Sequence, residues 1–255
     1  MKQRHFPNIV RILIQTLLTA TLYYLSARLG FLMALPPGNV TALWPPSGLA
    51  LVMMLIFGWR ASPGIFIASF LVNWEILNGP AALPVAAAIA TASTLQAWVT
   101  AWLLYRFIKT WPPEKVQHTL LAIGITSFSA LQSPVVGVTS LCLAGLAPWE
   151  NFLILAGTWW LGDLIGMLVF APMPFILYKR WKQQPVSEPF LWPLTCLILG
   201  VSLFAFLFIN NMEKQVLVAS PGRVAGAGLF VGLLMVSAFL AFVQFVQYEG
   251  DLVRI

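Results

Sequence analysis

The sequence predicts an all-α, polytopic membrane bundle of about eight transmembrane helices with both termini in the cytoplasm. Three observations carry this. Of the 255 residues, 60% are hydrophobic and only 9% charged, with a mean hydropathy of +0.86. A soluble domain carries about 25% charged residues, so the chain has too little polar surface to cover a water-exposed globule. The apolar residues also fall into runs near the length a bilayer requires, about 20 residues. Finally, the basic residues gather on alternate connections.

The runs lie at 8–34, 44–59, 63–79, 83–107, 119–144, 150–177, 190–209 and 225–247. The first follows Met1-Lys-Gln-Arg-His5, and it is too long for a signal peptide and has no small-residue cleavage site after it. The second and third are short and meet at Gly58 to Pro63, which predicts a tight helical hairpin. Pro63 and Pro84 suit first-turn positions, where proline forfeits no helical hydrogen bond. Near the end of the sixth run, Pro172 and Pro174 disturb helical bonding, more simply as a helix end than as a hinge. Cys142 and Cys196 lie in apolar runs and read as small buried residues.

With the N-terminus inside, eleven of the fourteen basic residues fall on the cytoplasmic side, and the exceptions are Arg28, Lys214 and Arg223. This is the positive-inside pattern, and it predicts that both termini stay in the cytoplasm. Residues 1–247 read as one membrane domain and 248–255 as a short cytoplasmic tail, the start of a connector. The net charge of +6 is spread thinly through loops and is no nucleic-acid footprint.

Enzyme chemistry finds little support. His5 and His118 lie in a tail and a loop without metal-ligand spacing, and no base accompanies a serine nucleophile. Neither a metal nor a cofactor is expected. The polar residues inside the runs are more telling. Asp163 lies well inside an apolar helix, where an ionisable group is costly and faces the bundle interior or a hydrated cavity. At 1.5 Å per residue, Gln96, Gln132 and Asp163 reach similar depth near the midplane. Trp159 is one turn from Asp163 on the same face. Asn73, Trp74 and Glu75 belong to the outer half of the third span, and Trp44 and Ser47 to the mouth of the second. Together these nine residues are expected to line a small-molecule pocket open to the outside. The competing reading makes the tryptophans interfacial anchors and the amides interhelical glue. Gly162 and Gly166 flank Asp163 with GxxxG spacing, and Gly228 and Gly232 repeat it in the last span. Both pairs are expected to pack helices closely, compatible with a homodimer.

Two stretches carry a resemblance. Leu43-Trp-Pro-Pro-Ser-Gly-Leu-Ala, then Phe57-Gly-Trp-Arg, Pro63-Gly-Ile-Phe and Asn73, resembles the first type of the bacterial membrane-associated sensor family, MASE. Trp159-Trp-Leu-Gly-Asp-Leu-Ile-Gly, followed by Ala171-Pro172, is similar to that family's sixth-helix motif. The resemblance covers about residues 10 to 180. It implies a sensory input domain placed before a cytoplasmic histidine kinase, diguanylate cyclase or cyclic-di-GMP phosphodiesterase. The output domain is absent after Arg254, so it is expected either in the same polypeptide, of which this is a portion, or as a separate partner. The alternatives from the residues alone are a small-solute transporter or substrate-binding membrane subunit, and a scaffold that docks a membrane partner.

Overall fold

The computed structural model describes residues 8–31, 43–108, 111–113 and 115–182. Among these residues the secondary structure is entirely helical: α1 (Asn8–Phe31), α2 (Pro45–Phe57), α3 (Ser62–Ile76), α4 (Ala82–Phe107), α5 (Val116–Ser129), α6 (Gln132–Leu143), α7 (Phe152–Phe170) and α8 (Met173–Trp181). Short 3-10 turns at Gly58–Ala61 and Trp149–Asn151 complete it. Five stretches are long and apolar enough to cross a membrane: Ile9–Phe31, Pro45–Ile76, Ala82–Phe107, Val116–Leu143 and Trp149–Ile176. The expected spans at 190–209 and 225–247, the tail at 248–255, and Gly228 and Gly232 lie outside the described residues.

The chain divides into two units. The first comprises Met1–Lys109 and Gly124–Pro174, which takes in α1 to α4, the end of α5, α6 and α7. The second comprises Thr110–Ile123 and Phe175–Ile255. Of it, the start of α5 and most of α8 are described; there Thr119 returns both its N–H and its hydroxyl to the Lys115 carbonyl, at 2.9 and 3.1 Å.

In the first unit, α2 opens on Pro45 and Pro46 and ends at Gly58, whose φ of +63° a side chain would strain. The 3-10 turn then reverses the chain into α3, so Pro45–Ile76 holds two antiparallel arms. Their directions follow from α1. Gly64 meets Thr16 and Ala20, and Glu75 meets Tyr24 and Arg28, so α1 and α3 run parallel. Trp44 meets Gly30 and Phe31, with ring centroids 4.9 Å apart for the Phe31 pair, so α2 runs the other way. The hairpin is tight only at its turn. Its arms are held apart, and α1 and α4 each pack against both. Gly64 makes this possible, because a Cβ there would stand 2.5 Å from the Thr16 carbonyl oxygen.

One other expectation needs correction. The run at 119–144 is not one helix: it breaks at Ala130–Leu131, since Pro134 has no N–H to continue the ladder. In the run at 150–177 the helix end expected at the prolines is present, α7 stopping at Phe170 and α8 starting at Met173, while Trp149–Ile176 stays one apolar stretch.

Candidate functional site

The face of α7 carrying Trp159, Gly162, Asp163 and Gly166 follows the i, i+3, i+4, i+7 spacing of one helical stripe. The start of α2 lies directly on it. The Trp44 N–H donates to the Gly162 carbonyl at 3.1 Å. The Ser47 hydroxyl is 2.8 Å from the Trp44 carbonyl and 3.0 Å from the Asp163 carbonyl, sharing its proton between them. Only glycine permits this approach: a Cβ on Gly166 would lie 2.0 Å from the Trp44 oxygen, and one on Gly48 would lie 2.2 Å from the Gly166 oxygen. Close backbone packing of this kind replaces the hydrophobic drive that a bilayer cannot supply.

The α5–α6 break adds a second element. Backbone groups freed inside a membrane must find partners, since no bulk water reaches them. Here neighbouring helices supply them. Ser133, the second residue of α6, donates its N–H to Gln96 Oε1 of α4 at 3.1 Å. Trp160 Nε1 of α7 donates to the Ser127 carbonyl in the last turn of α5 at 2.9 Å. The Trp159 ring lies over Gly137 of α6, where a Cβ would come within 2.6 Å of it.

Between these elements sits the Asp163 side chain, only 2% exposed. Gln96, Ser133, Trp159 and Ser47 stand around its carboxyl as hydrogen-bonding groups. Its Oδ2 nevertheless has no hydrogen-bond partner among the described residues. Tyr23 of α1, itself buried, lines the same space, and its hydroxyl faces Ser69, Ser93 and Trp44. Ser93 Oγ lies 3.4 Å from Ser133 Oγ. A cavity of about 10 Å³ opens among Tyr23, Ser47, Ser93, Gln96 and Asp163, with Ala50 and Ala97 as its apolar walls. That is about the space one water fills.

Of the residues singled out in the sequence, the structure gathers Trp44, Ser47, Gln96, Trp159 and Asp163, together with Gly162 and Gly166. Gln132 is half-buried at the first position of α6, and its neighbour Ser133 takes the place beside the carboxyl. The other three stand apart. Asn73 returns its amide to the Ser69 carbonyl at 2.8 Å. Trp74 is 48% exposed and leans on Phe70 at 5.9 Å. Glu75 is engaged by α1: Tyr24 Oη lies 2.9 Å from both of its oxygens and Arg28 Nη1 3.1 Å from Oε2. The expected single funnel is therefore two separate groups. Tyr23, Ser93, Ser133 and Gly48 belong to the site and were not singled out as site residues; of these Gly48 lies in the quoted Leu43-Trp-Pro-Pro-Ser-Gly stretch and Ser133 is marked by the adjacent Pro134, while Tyr23 and Ser93 carry no signal.

A search against protein-family models returns MASE1, matched over residues 15–244. The chain belongs to the MASE1 family. MASE1 is a membrane-associated sensory domain and not a catalytic one, in keeping with a helical structure whose long stretches suit a bilayer. Both motif stretches and the whole Asp163 cluster fall inside the MASE1 match. No curated protein and no solved structure matches the chain significantly.

Proposed function

We propose that this MASE1 domain is the input half of a bacterial signalling protein, and that its signal acts on the Asp163 cluster. One observation carries the reading: a buried carboxyl, one oxygen of which has no partner among the described residues, stands where α2, α4, α6 and α7 meet. An ionisable group at that depth is a functional candidate by default. It also touches an interrupted helix, whose two halves can shift more freely than a continuous one. A signal biases such a bundle only as far as it favours one arrangement over another.

On this reading the chain crosses the cytoplasmic membrane about eight times, residues 1–247 forming the domain and 248–255 the exit. The basic loops keep both termini inside. The end holding Trp44 and Glu75 then faces outward. Output comes from a cytoplasmic histidine kinase or cyclic-di-GMP enzyme, in the same polypeptide or as a partner, and Gly228 and Gly232 support pairing of two copies. Asp163→Asn, expressed with that output, is expected to lock it in one state. An unchanged dose response from a normally inserted variant removes Asp163 from the mechanism.

The interrupted helix beside a carboxylate favours a second reading, since solute transporters bind substrates at such breaks. Uptake of labelled solute into proteoliposomes separates the two, because a sensor binds without translocating.

A further inference from the structure

We infer that the Asp163 cavity is a binding site for a single monovalent cation of about the size of sodium. This deepens the reading above and rests on it for the role of the site, but binding itself is measured without any signalling output. Four features lead to it.

The first is charge. A buried carboxylate is expensive unless paired, and among the described residues no Lys, Arg or His lines the cavity around Asp163. The second is the direction of the hydrogen bonds. The Ser47 proton is committed to the Trp44 and Asp163 carbonyls, so what the hydroxyl can offer the cavity is lone pairs. Gln96 Oε1 is already occupied by the Ser133 N–H. Asp163 Oδ2 is unpartnered among the described residues. Tyr23, Ser47, Ser93 and the Asp163 carboxyl thus bring oxygens to the lining, beside the donors that Gln96, Ser133 and Trp159 turn toward that carboxyl, and such oxygens suit a hard cation. The third is size: about 10 Å³ admits a monatomic ion or one water and no polyatomic solute. The fourth is stoichiometry. The cavity holds one carboxylate beside the neutral oxygens of Tyr23, Ser47 and Ser93. A monovalent ion neutralises it, whereas a divalent ion leaves a net positive charge in an apolar surrounding. Among the described residues no group of three or more His, Cys, Asp or Glu gathers for such an ion.

Binding of radiolabelled sodium to the purified full chain in detergent tests this. The expected result is saturable binding of one ion per chain, displaced by unlabelled sodium and not by choline. Asp163→Asn is expected to abolish it. Ser93→Ala removes one oxygen from a half-buried position, keeps the carboxylate, and is expected to weaken binding about tenfold, the size of one polar contact; it decides the matter if the Asn variant does not fold. Absence of saturable binding by the folded wild-type chain overturns the inference, as does binding that Ser93→Ala leaves unchanged or that a folded Asp163→Asn retains. In any of those cases the signalling response of Asp163→Asn still decides the functional reading on its own.

Discussion

The backbone N–H of Ser133 donates to the side chain of Gln96 at 3.1 Å, and this bond ties an interrupted helix to its unbroken neighbour. Ser133 is the second residue of α6, so its N–H has no partner within that helix. Gln96→Leu leaves that buried N–H bare and is expected to cost about 1–3 kcal/mol of stability. Gln132→Ala, one residue away and half-buried, is expected to cost much less. Unfolding of both variants in detergent checks this, and equal losses would show that the amide at 96 is not a cap.

The crossing of α2 and α7 tolerates no side chain at two positions. Gly48→Ala and Gly166→Ala each force a methyl to within 2.2 Å of a backbone oxygen, which cannot swing aside as a side-chain end would. Each is expected to destabilise by about 3 kcal/mol, the upper end of ordinary overpacking. Gly157→Ala meets nothing within 4 Å and serves as the control on the same helix. Thermal unfolding should rank the control far above the other two.

How much of this site is legible in the chain depends on what kind of residue stands out. Asp163 does, because a carboxylate inside an apolar run is costly and needs a partner or a hydrated cavity. Trp159, Gly162 and Gly166 follow from it by helical spacing. Tyr23 and Ser93 do not stand out: a tyrosine in an apolar helix reads as one more aromatic, and a serine or threonine hydroxyl there commonly returns its proton to the carbonyl four residues back. Thr91, Thr94 and Thr139 do so here, at 2.6 to 2.8 Å, and nothing in the sequence distinguishes them. Glu75 misleads for a related reason. Successive residues turn about 100° around a helix, so its neighbours in sequence point elsewhere, and its partners Tyr24 and Arg28 come from a helix some fifty positions away. The break between α5 and α6 hides inside a run that stays apolar throughout, with Pro134 as its mark. The bundle itself is the legible part, because composition and run length decide it.

Glu75 provides a test of which polar group matters. Its ion pair with Arg28 lies near the ends of α3 and α1 and leaves 41% and 56% of the two side chains uncovered by protein; at a membrane boundary open to water, screening leaves such pairs little net effect. Glu75→Gln is therefore expected to leave the unfolding midpoint within replicate scatter and the signalling response unchanged. A shifted response from a stable Glu75→Gln chain would bring the α1–α3 group back into the sensing site.

Trp159 and Gly137 are expected to be energetically coupled. A Cβ on Gly137 would lie 2.6, 2.8 and 3.2 Å from three atoms of the outer Trp159 ring, so Gly137→Ala must push the indole off its seat beside Asp163. That overpacking is expected to cost about 1–3 kcal/mol. Phenylalanine at 159 lacks the outer ring that collides, so Trp159→Phe makes room for the added methyl while losing packing of its own. The double variant should then be more stable than the sum of the two losses predicts, by about 1 kcal/mol or more, within the range neighbouring residues show. Strict additivity in a double-mutant cycle of unfolding free energies would mean that the ring does not rest on Gly137.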